Sequence, residues 1–284
     1  MFVLLQHATR ETGIFEMCVV DSLGLCYHSQ QRTSAEGPLD RDFTQGRRLT
    51  TISRVPLDAA AEATGTVVVI DVLRAFTTAA FAFNAGAEAI TVVSDIDEAF
   101  ALREQHPGWL IMGEQGGLPV EGFDFDNSPA AFVDRDLSGQ RLIQRTSSGT
   151  QGVVGSRKAR HLLAASLCCA RATGRCVCEL GPRDVTMVIT GSHRGRLGDE
   201  DLACADYLGT LIQGEAPDDE DVIERVRGSH AAQKFKDPEQ PQFSPVDLEY
   251  ATDIDRFSFA MVVEKERGRH IMRPAYVEKM PLRR

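Results

Sequence analysis

Hydrophobic residues gather into short blocks separated by polar loops, and the rhythm becomes regular at residue 66. Residues 66–70 (TVVVI) are almost continuously β-branched, which predicts a strand buried on both faces. The Ala-rich stretch that follows predicts a helix over 75–85, closed at Gly86. The pattern then predicts a strand at 89–93, a helix at 96–105 capped by Ser94 or Asp95, and a strand at 109–112. A Gly-rich loop runs to Pro129, followed by a strand at 141–144 and a polar loop at 145–150. Beyond it come a helix at 157–171, a strand at 185–190, a polar loop at 191–198 and helices at 199–213 and 218–232. Residues 162–172 look like one amphipathic or buried helix, with Val177 in a following β segment. A Pro-rich break at 237–245 leads to an Asp-rich helical segment at 246–257 and a last strand at 259–264. Upstream, 17–20 reads as a strand, 30–48 as polar loop and 58–63 as a turn or short helix.

This alternation predicts an α/β fold with a largely parallel or mixed sheet flanked by helices, the parallel arrangement being the economical one. The expected organisation is two closely packed α/β subdomains, 61–155 and 156–284, the second including the C-terminal strand. Residues 1–60 are expected to form a segment packed on that core.

Composition narrows the function classes. With 284 residues, 43% hydrophobic and 25% charged, the chain has the make-up of a globular protein. A formal net charge of −10 argues against nucleic-acid binding, allows a local positive pocket for an anionic metabolite, and suits a bound cation. No apolar run is long enough for a bilayer, and the opening apolar residues stop too soon for a secretory leader, so the expectation is a cytoplasmic protein without membrane partners. Seven cysteines fit mostly reduced thiols. Cys168, Cys169, Cys176 and Cys178 lack a familiar zinc spacing and are expected to pack in the core.

Four loops and the first strand's end carry the candidate chemistry. Asp71, Arg74, Thr77 and Thr78 sit where a strand hands over to a helix, the usual ligand edge of an open α/β sheet. They also suit a plain helix cap and filler. Glu114 lies just past a strand end in GEQGG, whose glycines permit close approach of a ligand or a simple turn. Asn127 and Ser128 precede Pro129 and either cap a helix or orient an oxyanion. Arg145, Thr146, Ser147, Ser148, Gly149 and Thr150 combine backbone amides, hydroxyls and a guanidinium suited to a phosphate, without the Lys or spacing of a P-loop. His193 lies in the basic glycine loop before Asp199, Glu200 and Asp201. Those acids suit a helix N-terminus, and hard oxygen ligands suit magnesium. Cys204, one turn beyond Glu200, either faces that site or is buried and inert.

Taken in order, IDVLRAFTTAAF, GEQGG, GFDFDNSPA, RTSSGTQG and GDEDLACADYL resemble the motifs of the 2-phosphosulfolactate phosphatase family over residues 64–264. The resemblance implies that family's own α/β fold and magnesium-dependent hydrolysis of 2-phospho-3-sulfolactate to 3-sulfolactate and phosphate, in coenzyme M biosynthesis. It maps the family's catalytic positions onto Asp71, Arg74, Glu114 and Glu200, with Mg2+ expected at Asp71, Glu114, Glu200 and Asp201. Thr77, Thr78, Asn127, Ser128, the 145–150 loop and His193 are then expected around the phosphorylated substrate. The loop departs from the family's usual TTNGT, with Arg145, Ser147 and Ser148 at changed positions. The expected partner is a small anionic phosphorylated metabolite, and a homodimer stays open. Two other readings use the same pocket: a phosphometabolite-binding protein without turnover, and a lyase or phosphotransferase on a related substrate.

Overall fold

The computed structural model describes residues 14–20, 26–32, 50–192, 195 and 198–276. Strands β1 (Ile14–Val20) and β2 (Cys26–Arg32) pair antiparallel, Ile14 opposite Arg32 and Val20 opposite Cys26. They belong to a unit of their own, Met1–Arg47.

The remaining chain, from Arg48, builds a nine-stranded mixed sheet. Its first half comprises β3 (Thr51–Pro56), a 3-10 turn (Leu57–Glu62), β4 (Gly65–Ile70), α1 (Ala75–Asn84), β5 (Ala89–Val93), α2 (Ile96–Gln105), β6 (Leu110–Gly113) and β7 (Arg141–Arg145). Next follow α3 (Gly149–Gly155), β8 (Ala159–Ala165), α4 (Ala170–Leu180), β9 (Asp184–Ile189), α5 (Asp199–Gln213) and α6 (Asp219–Gly228). A 3-10 segment (Ala231–Lys236), α7 (Pro245–Ala251), β10 (Phe259–Glu266) and β11 (Arg269–Tyr276) complete it.

The strand order is β3-β9-β4-β8-β10-β11-β5-β7-β6. Strands β3, β9, β4 and β8 form one parallel block and β5, β7 and β6 another. The antiparallel hairpin β10-β11 sits between them, so the second block runs opposite to the first. Over the five steps from β4 to β7 the usual strand twist accumulates to roughly 100°. The C-terminal ends of the two blocks thereby meet: Gln144 Nε2 at the end of β7 donates to the carbonyl of Ala75, 2.8 Å away, just past β4. The ligand edge is thus assembled from two opposed blocks and not from the one edge that a wholly parallel sheet offers.

Strand β4 explains its own composition. Val67 and Val69 join the core on one face with Phe76, Ile90 and Leu142. Val68 and Ile70 join Leu163, Met187 and Leu208 on the other. A strand covered on both sides has no polar face to alternate.

Several expected elements come out differently. Residues 159–165 form β8, and the helix begins only at Ala170, carrying Val177 in its buried face. Leu162–Ala165 is a short apolar run that helix propensity favours, but inserted between β4 and β10 it is a central strand, and tertiary burial overrides propensity. The helix expected at 218–232 stops at Gly228, and that at 246–257 shortens to α7. Strand β11 carries Pro274, which lies beyond the stretch that pairs with β5, where a missing N–H leaves no ladder bond unmade on that side. Cys168, Cys169 and Cys204 are buried, while Cys178 is exposed.

Candidate functional site

A cavity of about 190 Å3 opens where the two blocks meet. Asp71, Arg74, Glu114, Asn127, Ser147, Ser148, Glu200 and Asp201 all line it. Residues expected from five separate sequence segments therefore share one pocket.

Asp71 leaves the end of β4. Its Oδ1 accepts the Ala75 N–H at 2.9 Å, starting α1, and its Oδ2 accepts the Thr190 hydroxyl at 3.2 Å. The same hydroxyl lies 3.3 Å from Asp201 Oδ2, so one threonine at the end of β9 bridges the two carboxylates. Asp201 is further held by the N–H groups of Val72 and Gly191, each at 2.8 Å. Two glycines let the backbone crowd these acids: a Cβ on Gly149 would stand 2.8 Å from Asp71 Oδ2, and one on Gly191 would stand 2.9 Å from Glu200 Oε1. Any other residue at either place would fill the cradle.

Burial and mutual repulsion set the protonation of this acid cluster. Asp71 is pushed up to about 6, chiefly by desolvation, with the Glu114 charge adding to it. Glu200 is pushed up to about 7, again chiefly by burial, with Asp199 and Asp71 contributing. Asp201 is raised well above the ordinary carboxylate range by burial and by the charges of Glu200 and Asp71. Like charges brought together out of water favour protons or a cation.

Glu114 plays a different part. Oε1 accepts the Ser147 N–H, and Oε2 accepts the Gly117 N–H and, at 3.1 Å, the Ser147 hydroxyl. It fastens the loop after β6 to the loop after β7.

Arg74 belongs to a second cluster. Its Nη1 donates to Asp247 Oδ2 at 2.8 Å and to the Gln242 carbonyl at 3.2 Å. The guanidinium carbon lies 5.4 Å and 5.0 Å from the ring centroids of Phe235 and Phe243. Asp247, fully buried in the first turn of α7, also accepts the Ser128 hydroxyl at 2.7 Å. Asn127, beside it, is 5% exposed, and its Oδ1 is buried without a hydrogen-bond partner.

Other expected residues stand back from the cavity. Thr77 is fully buried and bonds the Val72 carbonyl and Ser166. Thr78 is also fully buried, its hydroxyl unpartnered. Arg145 turns to the carbonyls of Ser94 and Glu114. Thr146 and Thr150 bond one another and close the loop, and Gly149 contributes its N–H toward Asp71. Ser128 serves Asp247, and His193 lies outside the described residues. Conversely, Asp247, Thr190, Phe243, His230 and Lys234 were not singled out from sequence, yet the first two hold the site together and the other three line it. The signal available in the sequence is the aromatic pair Phe235 and Phe243, set in a segment otherwise polar enough to pass for loop.

Hard oxygen donors dominate the acid cluster, the chemistry a divalent cation such as magnesium prefers. Among the described residues no three His, Cys, Asp or Glu side chains form a ready-made metal cage. Magnesium seldom needs one, being held by one or two carboxylates, water and substrate phosphate. The donor set fits it.

The family model for 2-phosphosulpholactate phosphatase matches residues 51–266. A protein of Bacillus subtilis named probable 2-phosphosulfolactate phosphatase is 38% identical over 200 residues, 70% of this chain and 87% of that protein. Proteins of the same name from Carboxydothermus hydrogenoformans and Thermus thermophilus are 40% and 35% identical, over 51% and 58% of this chain and 60% and 70% of theirs.

Proposed function

The chain belongs to the 2-phosphosulfolactate phosphatase family, and from that membership and the chemistry of its pocket we propose that it hydrolyses 2-phospho-3-sulfolactate to 3-sulfolactate and inorganic phosphate. The observation that carries the reading is the union, in one small cavity, of a buried acid cluster with a buried guanidinium. A phosphomonoester needs both: anion donors for its oxygens, and acids that manage water, protons and a cation.

Magnesium, held by some of Asp71, Glu114, Glu200 and Asp201, would polarise the phosphoryl group and lower the pKa of the attacking water. Asp71 Oδ2, which accepts the Thr190 hydroxyl at 3.2 Å, would take a proton from that water. With the cation on the other carboxylates, Glu200, raised toward neutral pH chiefly by burial, would return a proton to the departing sulfolactate oxygen. Arg74 keeps its remaining N–H groups for the phosphoryl oxygens as charge builds on them. With the activity we infer a cytoplasmic role in coenzyme M biosynthesis.

The test is phosphate release from 2-phospho-3-sulfolactate with magnesium, and its loss on adding EDTA. Release that persists unchanged in EDTA would remove the metal from the reading. No phosphate from this or any related acidic ester would favour a binding protein, and a different product a lyase or phosphotransferase.

A further inference from the structure

A second cavity, of about 380 Å3, lies where the end of β5 and the residues that close α3 meet the turn between β10 and β11. It shares no lining residue with the first. Val93 and Val154 give it an apolar part, and the rest is basic: Arg157, Lys265 and Arg269 line it against one carboxylate, that of Glu98. The imbalance stands out in a chain with 41 acidic and 31 basic residues, where arginines such as Arg54, Arg141 and Arg273 reach a carboxylate.

None of the three cations makes an ion pair among the described residues. Lys265 Nζ donates to the Arg157 carbonyl at 2.8 Å, and Arg269 reaches the Gln105 amide oxygen at 3.2 Å and the His106 ring at 3.3 Å. The Arg157 guanidinium bonds nothing among the described residues. Carbonyl, amide and ring partners satisfy donors without cancelling charge. Positive groups gathered at a cavity repel one another until an anion joins them.

His270 gives a sign of a ligand that does not depend on counting charges. Its ring lines the cavity, yet Nε2 is buried without a hydrogen-bond partner among the described residues. A buried polar atom left unmatched is costly. Burial, aided by the Lys265 and Arg157 charges, pushes the imidazole down from its usual value, so the cations that lack a counter-ion also favour a neutral ring. A neutral ring can carry its proton on Nε2 and donate it, and the cations set the sign of what it meets.

We infer that this cavity, whatever the first one turns over, is a second anion site and takes a dianionic phosphoryl group between Arg157, Lys265, Arg269 and His270. Three cations against one carboxylate leave two positive charges over, which a dianion matches. Free inorganic phosphate and a phosphorylated metabolite present the same group, and the two valines distinguish them by offering surface to a carbon skeleton.

The experiment follows the His270 imidazole by NMR in magnesium-free protein with EDTA, its signal identified by His270→Gln. Inorganic phosphate is added in one arm and phenylphosphonate, which has no ester bond to hydrolyse, in the other. Because the signal is local, phosphate entering the first cavity does not count. Either probe should raise the His270 pKa by about 1 unit, as a negative charge brought beside an imidazole does. Arg157 and Lys265 are exposed, so Arg157→Gln with Lys265→Gln should fold. In that double variant the free ring should titrate higher than in wild type, and both probes should bind at this site roughly 10- to 100-fold more weakly. Equal affinities in wild type assign the site to free phosphate and tighter phenylphosphonate assigns it to a phosphorylated metabolite, either of which upholds it. A His270 signal that moves with neither probe, or that moves as far with sodium chloride at the same ionic strength, overturns it. Undiminished binding in the double variant does so too.

Discussion

Asp71 and Arg74 are three residues apart and almost equally buried, at 6% and 5% exposure, but their charges are met in different ways. Around Asp71 the neighbours are more acids, Glu114, Glu200 and Asp201, moderated among the described residues by backbone amides and one threonine. Around Arg74 the neighbours are a buried counter-charge, a carbonyl and two aromatic faces. The first arrangement stores repulsion that a cation relieves; the second is electrostatically complete and fixes a geometry. On the proposed function the difference gives each a part: the acids would take up a cation, while Asp247 and the phenylalanines would hold the arginine still for the phosphoryl group.

The strongest way to break the comparison is Asp71→Asn. The amide oxygen can still accept the Ala75 N–H, so the start of α1 survives while the charge is lost. Phosphate release should drop roughly 10³-fold, the upper range for removing one group that stabilises charge in a transition state. Activity within about tenfold of wild type would exclude Asp71 from the chemistry.

Asp247→Asn attacks the completed side. Leaving the Arg74 charge buried without its partner should cost about 3–5 kcal/mol of stability, measured by urea unfolding. Replacing both partners with apolar residues, Arg74→Met with Asp247→Leu, should recover much of that stability yet leave turnover impaired. A double variant as unstable as the two single losses combined would show that the pair is not acting as a unit.

The acid side makes a prediction about pH. Asp71 rises from 3.8 to about 6 and Glu200 from 4.5 to about 7 on folding, and Asp201 moves the same way. The native state therefore holds protons that the unfolded chain has released between about pH 4 and 7, and stability falls as pH rises through that window. The metal-free protein should melt at a higher temperature at pH 5 than at pH 8 from this cluster. Magnesium should raise the melting temperature at pH 8 and do little at pH 5. A magnesium effect equal at both values would place the cation elsewhere.

How far the sequence reveals this site follows the same divide. Asp71, Glu114, Glu200 and Asp201 each sit at the end of a strand or the start of a helix, positions that local pattern marks, and the strand before Asp71 is unmistakable because both its faces are covered. What holds Arg74 lies more than 160 residues away: Phe235 in a 3-10 segment, Gln242 and Phe243 in a Pro-broken loop with no periodicity to read, and Asp247 in the first turn of the short α7. Thr77 and Thr78 look like ligands from their spacing, yet the turn of α1 carries both inward. Likewise β8 was hidden because Leu162–Ala165 has no alternation to separate a buried strand from a helix, and only its neighbours β4 and β10 decide.

The smallest effect should come from Ser148, and it tests whether the loop after β7 works through its backbone. Ser148 lines the cavity at the N-cap of α3 but makes no side-chain capping bond there. The loop's shape is fixed by others: Thr150 accepts the Thr146 N–H at 2.8 Å, Thr146 accepts the Thr150 N–H at 3.0 Å, and Glu114 takes the Ser147 N–H. Removing the Ser148 hydroxyl leaves all of these bonds in place. Ser148→Ala should thus change stability by no more than about 0.5 kcal/mol, the range of an exposed substitution without a specific partner, and kcat/KM by less than about threefold. A loss near 100-fold would mean that the hydroxyl itself grips a phosphoryl oxygen, which would move the anion site from the Arg74 cluster toward the loop. Steady-state kinetics beside a urea melt on the same preparation separates the two.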